Sequence, residues 1–243
     1  MAKHLLHGMT YEEAEEYFSN SDMVLLPVGS VEQHGPANPL GTDMFIAQAL
    51  AEEAARRSGI ITLPVIPIGI SFHHMKYPGT MTVSEHALEE YILDVLRSLS
   101  KWGVSKVLVV NGHGGNLPAL QIIARRAMVE LGIRVYLYQW WSSSSEVVEG
   151  MFRQEERGHA AAAETSLNMY LHPEFVKTDK IHDERPRGSF EGKVYRFTYT
   201  HELTDSGVFG VQTTASPERG SELFEKLVED LLRIIEEIRG ERT

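Results

Sequence analysis

The chain has 243 residues, no cysteine, 11 histidines and a formal net charge of −11. Without cysteine there is no disulfide framework, thiolate-held zinc, iron–sulfur cluster or thiol nucleophile. The acidic surplus argues against tracking nucleic-acid phosphates, and no stretch reaches the ~18 apolar residues of a membrane span. The start, MAKHLLHGMTYEEAEEYF, lacks the apolar core of a signal peptide. A cytoplasmic protein of one domain is therefore expected, acting on a small molecule through histidines and carboxylates.

Short apolar runs alternate with helical patterns. Residues 23–28 (MVLLPV) read as a buried strand, 43–57 as a helix, and 60–66 as a strand interrupted by Pro64. Leu88, Tyr91, Ile92, Val95, Leu96 and Leu99 recur at helical spacing across 84–102, with Ser84 as N-cap and Gly103 at the C-terminal turn. Residues 104–110 form the clearest strand, 117–131 a helix closed by Gly132, and 133–138 another strand. Helices are expected at 160–171 and at 216–239, with Pro217 in the first turn of the latter. The segment 173–214 is less regular, with a hairpin expected near Tyr195 to Tyr199. Strands alternating with crossover helices predict a three-layer α/β/α fold around a mainly parallel sheet.

Ligands of such sheets bind beyond the carboxyl ends of the strands. After the first strand comes Gly29-Ser-Val-Glu32-Gln-His34-Gly-Pro, then Gly41-Thr-Asp43. After residues 104–110 comes Asn111-Gly-His113-Gly114-Gly115-Asn116. In an extended segment, Glu32 and His34 project to one side and suit a common centre. Four candidate metal ligands therefore follow two separate strands. The Asn111 loop has two further readings, a turn requiring positive φ or an anion cradle at a helix N-terminus. A third element, His159-Ala-Ala-Ala-Ala-Glu164-Thr-Ser, reads on its own as an Ala-rich core helix with polar ends.

These pieces, with Leu40-Gly-Thr-Asp43 and Tyr77-Pro-Gly-Thr80, resemble in order the creatininase (creatinine amidohydrolase) family, from about Val24 to Ser166. The resemblance implies a two-metal site at the carboxyl edge of the sheet. Glu32, His34, Asp43, His113 and Glu164 match ligand positions, with Asp43 bridging, and His159 matches a catalytic histidine. It also implies two divalent ions (Zn, Mn or Fe) and a homo-oligomer, commonly a hexamer. Creatinine-cleaving members carry Tyr-Glu where this chain has Gly114-Gly115, and that Glu is a ligand. Its loss argues against creatinine, with Glu164 supplying the carboxylate instead. Many Gly-Gly members also have an acid where this chain has Ala162.

Imidazole and carboxylate donors suit Zn, Mn or Fe(II), and paired ions activate water for attack on a carbonyl. The expected reaction is hydrolysis of a cyclic amide or formamide, with His159 shuttling a proton and Glu164 beside it. Candidate substrate contacts are His74, Tyr77, Gly114, Trp140 and Trp141, with His73 next to His74. The alternatives are carbon–carbon hydrolysis of an inositol-derived cyclic diketone and a non-catalytic small-molecule binder.

Overall fold

A computed structural model describes residues 4–188 and 196–241. The first helix, α1 (Tyr11–Asn20), starts at a capping box in which Thr10 and Glu13 satisfy each other's backbone N–H groups. Strand β1 (Met23–Val28) follows, then α2 (Thr42–Ser58), β2 (Ile61–Thr62), α3 (Glu85–Ser100) and β3 (Lys106–Asn111). Next come α4 (Leu117–Leu131), β4 (Arg134–Gln139), and the short α5 (Trp140–Ser143) and α6 (Ser145–Met151). The chain closes with α7 (Ala162–Leu171), α8 (Thr200–Leu203) and α9 (Pro217–Gly240).

The sheet order is β2-β1-β3-β4, and every neighbouring pair is parallel. Both faces of β1 and β3 are buried because helices cover both sides. Met23, Leu25, Leu108, Val110 and Tyr138 pack one way against α2, α7 and α9. Val24, Leu26, Val107 and Val109 pack the other way against α3 and α4. This is the expected three-layer α/β/α arrangement. Val28 pairs with Asn111 and Asn111 with Gln139, so three strands end level and their following loops become neighbours.

The caps follow the sequence signals. Ser84 accepts from the Ala87 N–H, and Gly132 closes α4 at φ 71°. The expected strand at 60–66 shrinks to Ile61–Thr62, with one isolated bridge from Ile66 to Val28. Pro64 offers no N–H to continue a ladder. The hairpin placed near Tyr195 to Tyr199 lies partly outside the described residues, and Arg196, Phe197, Thr198 and Tyr199 form no strand. Among the described residues no helix is long and apolar enough to cross a membrane.

Candidate active site

The loops after β1 and β3 meet the start of α2 and the approach to α7. Gly112 makes this possible: a Cβ there would sit 2.1 Å from the Asp43 carbonyl oxygen, so only glycine lets α2 press onto the end of β3. Neither Gly112, Gly114 nor Gly115 has positive φ, which corrects the turn reading of this loop. The glycines serve close approach instead.

The side-chain amides of Asn111 and Asn116 are both committed within this corner. Asn111 donates to the His113 carbonyl and to Gln139 Oε1, at 2.7 and 3.0 Å. Asn116 donates to the Gly29 carbonyl and accepts from the Ile70 N–H, at 3.0 and 2.9 Å. Both amides are thus used to lock the loop onto the neighbouring segments.

Glu32, His34, Asp43, His113 and Glu164 come together in this packed corner. His34 Nε2 lies 3.0 Å from Asp43 Oδ1 and 3.7 Å from Glu164 Oε2. His113 Nδ1 lies 3.1 Å from Asp43 Oδ2 and 3.2 Å from Glu32 Oε1. Asp43 therefore offers one oxygen to each of two donor triads. Glu32 and His34, two apart in sequence, serve opposite sides of it.

Each imidazole is aimed by a backbone carbonyl. His34 Nδ1 is 3.1 Å from the Glu32 carbonyl and His113 Nε2 is 2.9 Å from that of Ile70. A carbonyl only accepts, so these nitrogens carry the hydrogens. The other ring nitrogens then face carboxylates, an arrangement typical of metal-binding histidines. A neutral ring would set lone pair against lone pair, so this geometry calls for a cation between them, a proton or a metal ion. Burial pulls His34 down, but Asp43, Glu164 and Glu32 outweigh it and hold the ring up to about 10. Burial likewise opposes charge on His113, yet Glu32 and Asp43 raise it well above the ordinary imidazole.

With the ring hydrogens on the carbonyl-facing nitrogens, three buried atoms in this corner, Glu32 Oε1, His34 Nε2 and Asp43 Oδ2, have no hydrogen-bond partner. Buried charged groups ordinarily pair or coordinate metals. Donors about 2.1 Å from a common ion stand about 3.0–3.4 Å apart, close to the separations here. The same corner holds three groups of potential ligands: His34, Asp43 and Glu164; Glu32, His34 and His159; and Glu32, His73 and His113. The residues fit divalent ions.

Around this corner lies a cavity of about 380 Å³. His73, His74, Gly114, Trp140, Trp141 and His159 are among the residues that line it. Larger hollows near Asp22 and Trp102 contain no histidine. Tyr77 is not among the lining residues; its hydroxyl donates to the Thr204 carbonyl at 3.3 Å, tying two loops together. Gly115 also faces the cavity, but a Cβ there would lie 2.3 Å from the Ile70 carbonyl and 2.4 Å from His113 Nε2. The His113–Ile70 hydrogen bond fills the space a Glu at this position would need.

His159 sits behind Glu32, its Nε2 held 2.8 Å from the Gln33 carbonyl and 2.9 Å from the Gln33 amide nitrogen. Its Nδ1 faces Glu32 Oε1 at 3.9 Å. Burial and the neighbouring His34 and His74 push this ring well below the ordinary imidazole, so it is neutral. Ala160 follows at φ 58°, a strained value for a residue with a side chain. That turn brings the Ala160 N–H to within 2.6 Å of Glu164 Oε2 and fixes the carboxylate.

The sequence reading missed three residues here. Gln33 places its amide nitrogen 2.9 Å from His74 Nδ1 and 3.3 Å from the Gly207 carbonyl, bracing the loop between two ligands. Arg157 and Phe209 line the cavity. Arg157, two positions before His159, was the more accessible to sequence reasoning; Phe209 lies in the irregular 173–214 segment and carried no pattern.

Residues 7–235 match the creatininase (creatinine amidohydrolase) family. A mycofactocin precursor peptide peptidase of Mycolicibacterium smegmatis is 31% identical over 229 residues, 91% of this chain and 87% of the relative. A 3-dehydro-scyllo-inosose hydrolase of Thermotoga maritima is 28% identical over 258 residues, 95% of this chain and 82% of the relative. A crystal structure of creatinine amidohydrolase (creatininase) superposes with a TM-score of 0.88 at 24% identity, covering 98% of this chain and 99% of the other. Family match, fold and a corner of histidine and carboxylate donors agree: the chain belongs to the creatininase family of metal-dependent hydrolases.

Proposed function

We propose that the protein is a binuclear metal-dependent amidohydrolase that cleaves the C–N bond of a cyclic amide or formamide in a small molecule. The observation that carries this reading is the convergence of three unpartnered buried donors around Asp43. Asp43, His34 and Glu164 would hold one ion; Asp43, Glu32 and His113 the other. Divalent ions supply such a site with a water of lowered pKa and with polarisation of a carbonyl oxygen.

The chain's own groups do the rest. Trp141 and Gly114 bound the cavity and leave room for a flat amide beside the donors. His159, a neutral imidazole whose Nδ1 faces Glu32, is set to accept a proton there and pass it to the departing nitrogen. Gln33 and the Gln33 carbonyl hold the His74 and His159 rings in place. Glu164, locked by the Ala160 N–H, fills the carboxylate role that Gly115 has no room to supply.

Metal analysis of the purified protein, followed by turnover of formamides, lactams, creatinine and cyclic diketones, tests the proposal. Two transition-metal ions per chain with release of amine or formate is the expected result. No bound metal, and no gain on adding Zn or Mn, would overturn it. The likeness to the inosose hydrolase favours a second reading, carbon–carbon hydrolysis of a cyclic polyol diketone at the same site. Turnover of the diketone alone would select it. We further propose a homo-oligomer, a hexamer on the family resemblance, to be measured by light scattering.

A further inference from the structure

Two residues that line the cavity each carry a buried N–H that no protein group satisfies. Arg157 is bound on one side, where its Nη1 lies 2.5 Å from Glu149 Oε1. Its Nε is buried and has no hydrogen-bond partner. Trp140 is 3% exposed, and its indole Nε1 is likewise buried and unpartnered. Both residues line the cavity that holds Glu32, Asp43 and Glu164. Neither donor belongs to the metal-ligand set.

The chemistry of the free donors is specific. With Nη1 taken by Glu149, the remaining edge of the guanidinium is Nε–H with Nη2–H, two parallel donors. That fork matches the two oxygens of a carboxylate. The pull of Glu149 on Nη1 fixes the plane of the fork. An indole N–H only donates, so it too waits for an acceptor. A wholly neutral substrate would leave the fork unmatched.

We propose that Arg157 and Trp140 form a carboxylate subsite, so that the substrate is an amide carrying a carboxylate apart from the bond that is cleaved. The subsite rests on the reading of this cavity as catalytic, and it names Arg157 as a specificity-determining residue.

The test compares two probes, N-formylphenylalanine and N-formylphenylalaninamide, which differ in the carboxylate alone. Their binding to the zinc-loaded protein is measured by calorimetry, and their turnover in parallel. The carboxylate probe should bind at least about tenfold more tightly than the amide. Arg157→Gln should abolish that preference, and Trp140→Phe, which keeps an aromatic ring but removes the N–H, should reduce it several-fold. If Arg157→Gln fails to fold, Arg157→Lys decides: it keeps the charge, loses the fork and should lose most of the preference. Equal binding of the two probes by the unaltered protein would overturn the subsite. So would a preference that survives Arg157→Gln, since the carboxylate would then be held by the ions. Preference without turnover would sink the amide reading and keep the subsite; turnover without preference would do the reverse.

Discussion

The two oxygens of Asp43 look onto unlike surroundings. On the Oδ2 side Glu32 is wholly buried, and His113 is 5% exposed. On the Oδ1 side His34 is wholly buried, but Glu164 keeps 15% of its side chain open to the cavity. The carboxylates differ in the same sense. Burial works against charge on Glu32, yet His113 and His74 overcome it and hold the group well below the usual carboxylate range. Burial lifts Glu164 to about 7, with His34 only partly offsetting it. One side therefore holds an ionised carboxylate closed off from solvent, and the other a carboxylate lifted to about 7 at the edge of the cavity.

That comparison can be broken outright by removing the shared group. On the proposed two-ion site, Asp43→Asn should lose both ions and all turnover above background, as seen by metal analysis and assay. Retention of two ions would show that Asp43 does not bridge.

Removing each private carboxylate should separate the sides. Glu32→Gln leaves His113 and His74 facing a neutral amide in a closed interior. A destabilisation of about 3–5 kcal/mol is expected, as for breaking a buried ion pair. Glu164→Gln sits at the open side and should lower the melting temperature much less while still costing one ion. Equal thermal losses for the two variants would erase the distinction.

The adjacent glycines give a finer contrast. Gly115→Ala pushes into His113 and the Ile70 carbonyl, so it should cost about 1–3 kcal/mol and weaken the Oδ2-side ion. At Gly114 the nearest atom to an added Cβ is Trp141 Cζ2, at 3.8 Å. Gly114→Ala should therefore stay within about 0.5 kcal/mol of the parent. Denaturant unfolding of both variants measures the difference.

A last contrast concerns protons. His34, held up to about 10, carries a proton at neutral pH when no ion is present, and His113 is raised in the same direction. An ion must displace those protons, so loading the metal-stripped protein with zinc should acidify a weak buffer. Apparent affinity should rise with pH, by about tenfold per unit for each proton displaced. It should level off as the pH passes the histidine pKa values. Calorimetry in buffers of different ionisation heat reads the proton count, and an affinity independent of pH would contradict the assigned ring orientations.

Much of this was legible from residues alone. Glu32, His34 and His113 follow strands whose buried apolar runs are unmistakable, and parallel sheets gather such loops at one edge. Asp43 was visible as the first acid of the next helix. What stayed hidden depends on three-dimensional packing. The i, i+2 spacing of Glu32 and His34 suggests one centre, and the two do share a ligand group with His159, but it does not tell that His34 faces Asp43 Oδ1 while Glu32 meets Asp43 Oδ2 through His113. The Ser142 to Ser145 run looks featureless, yet it spans the junction of α5 and α6, where Ser144 Oγ meets the Tyr138 hydroxyl at 2.9 Å. Gln33 could not be read as a brace because its partners, His74 and Gly207, are far away in the chain.

The contact between Gln33 and His159 spans 126 positions, and that between Asn38 and Thr165 spans 127. The Oδ1-side triad needs Glu164 and so cannot exist before α7 has docked onto the sheet, which makes this half of the site among the last features the chain acquires. Long-range parallel topologies fold slowly because loop closure comes before the contacts that reward it. A nascent chain ending short of α7 lacks Glu164 and with it a complete site. A divalent ion that needs both halves would bind the finished fold alone, and its concentration would set how far the unfolding equilibrium is shifted.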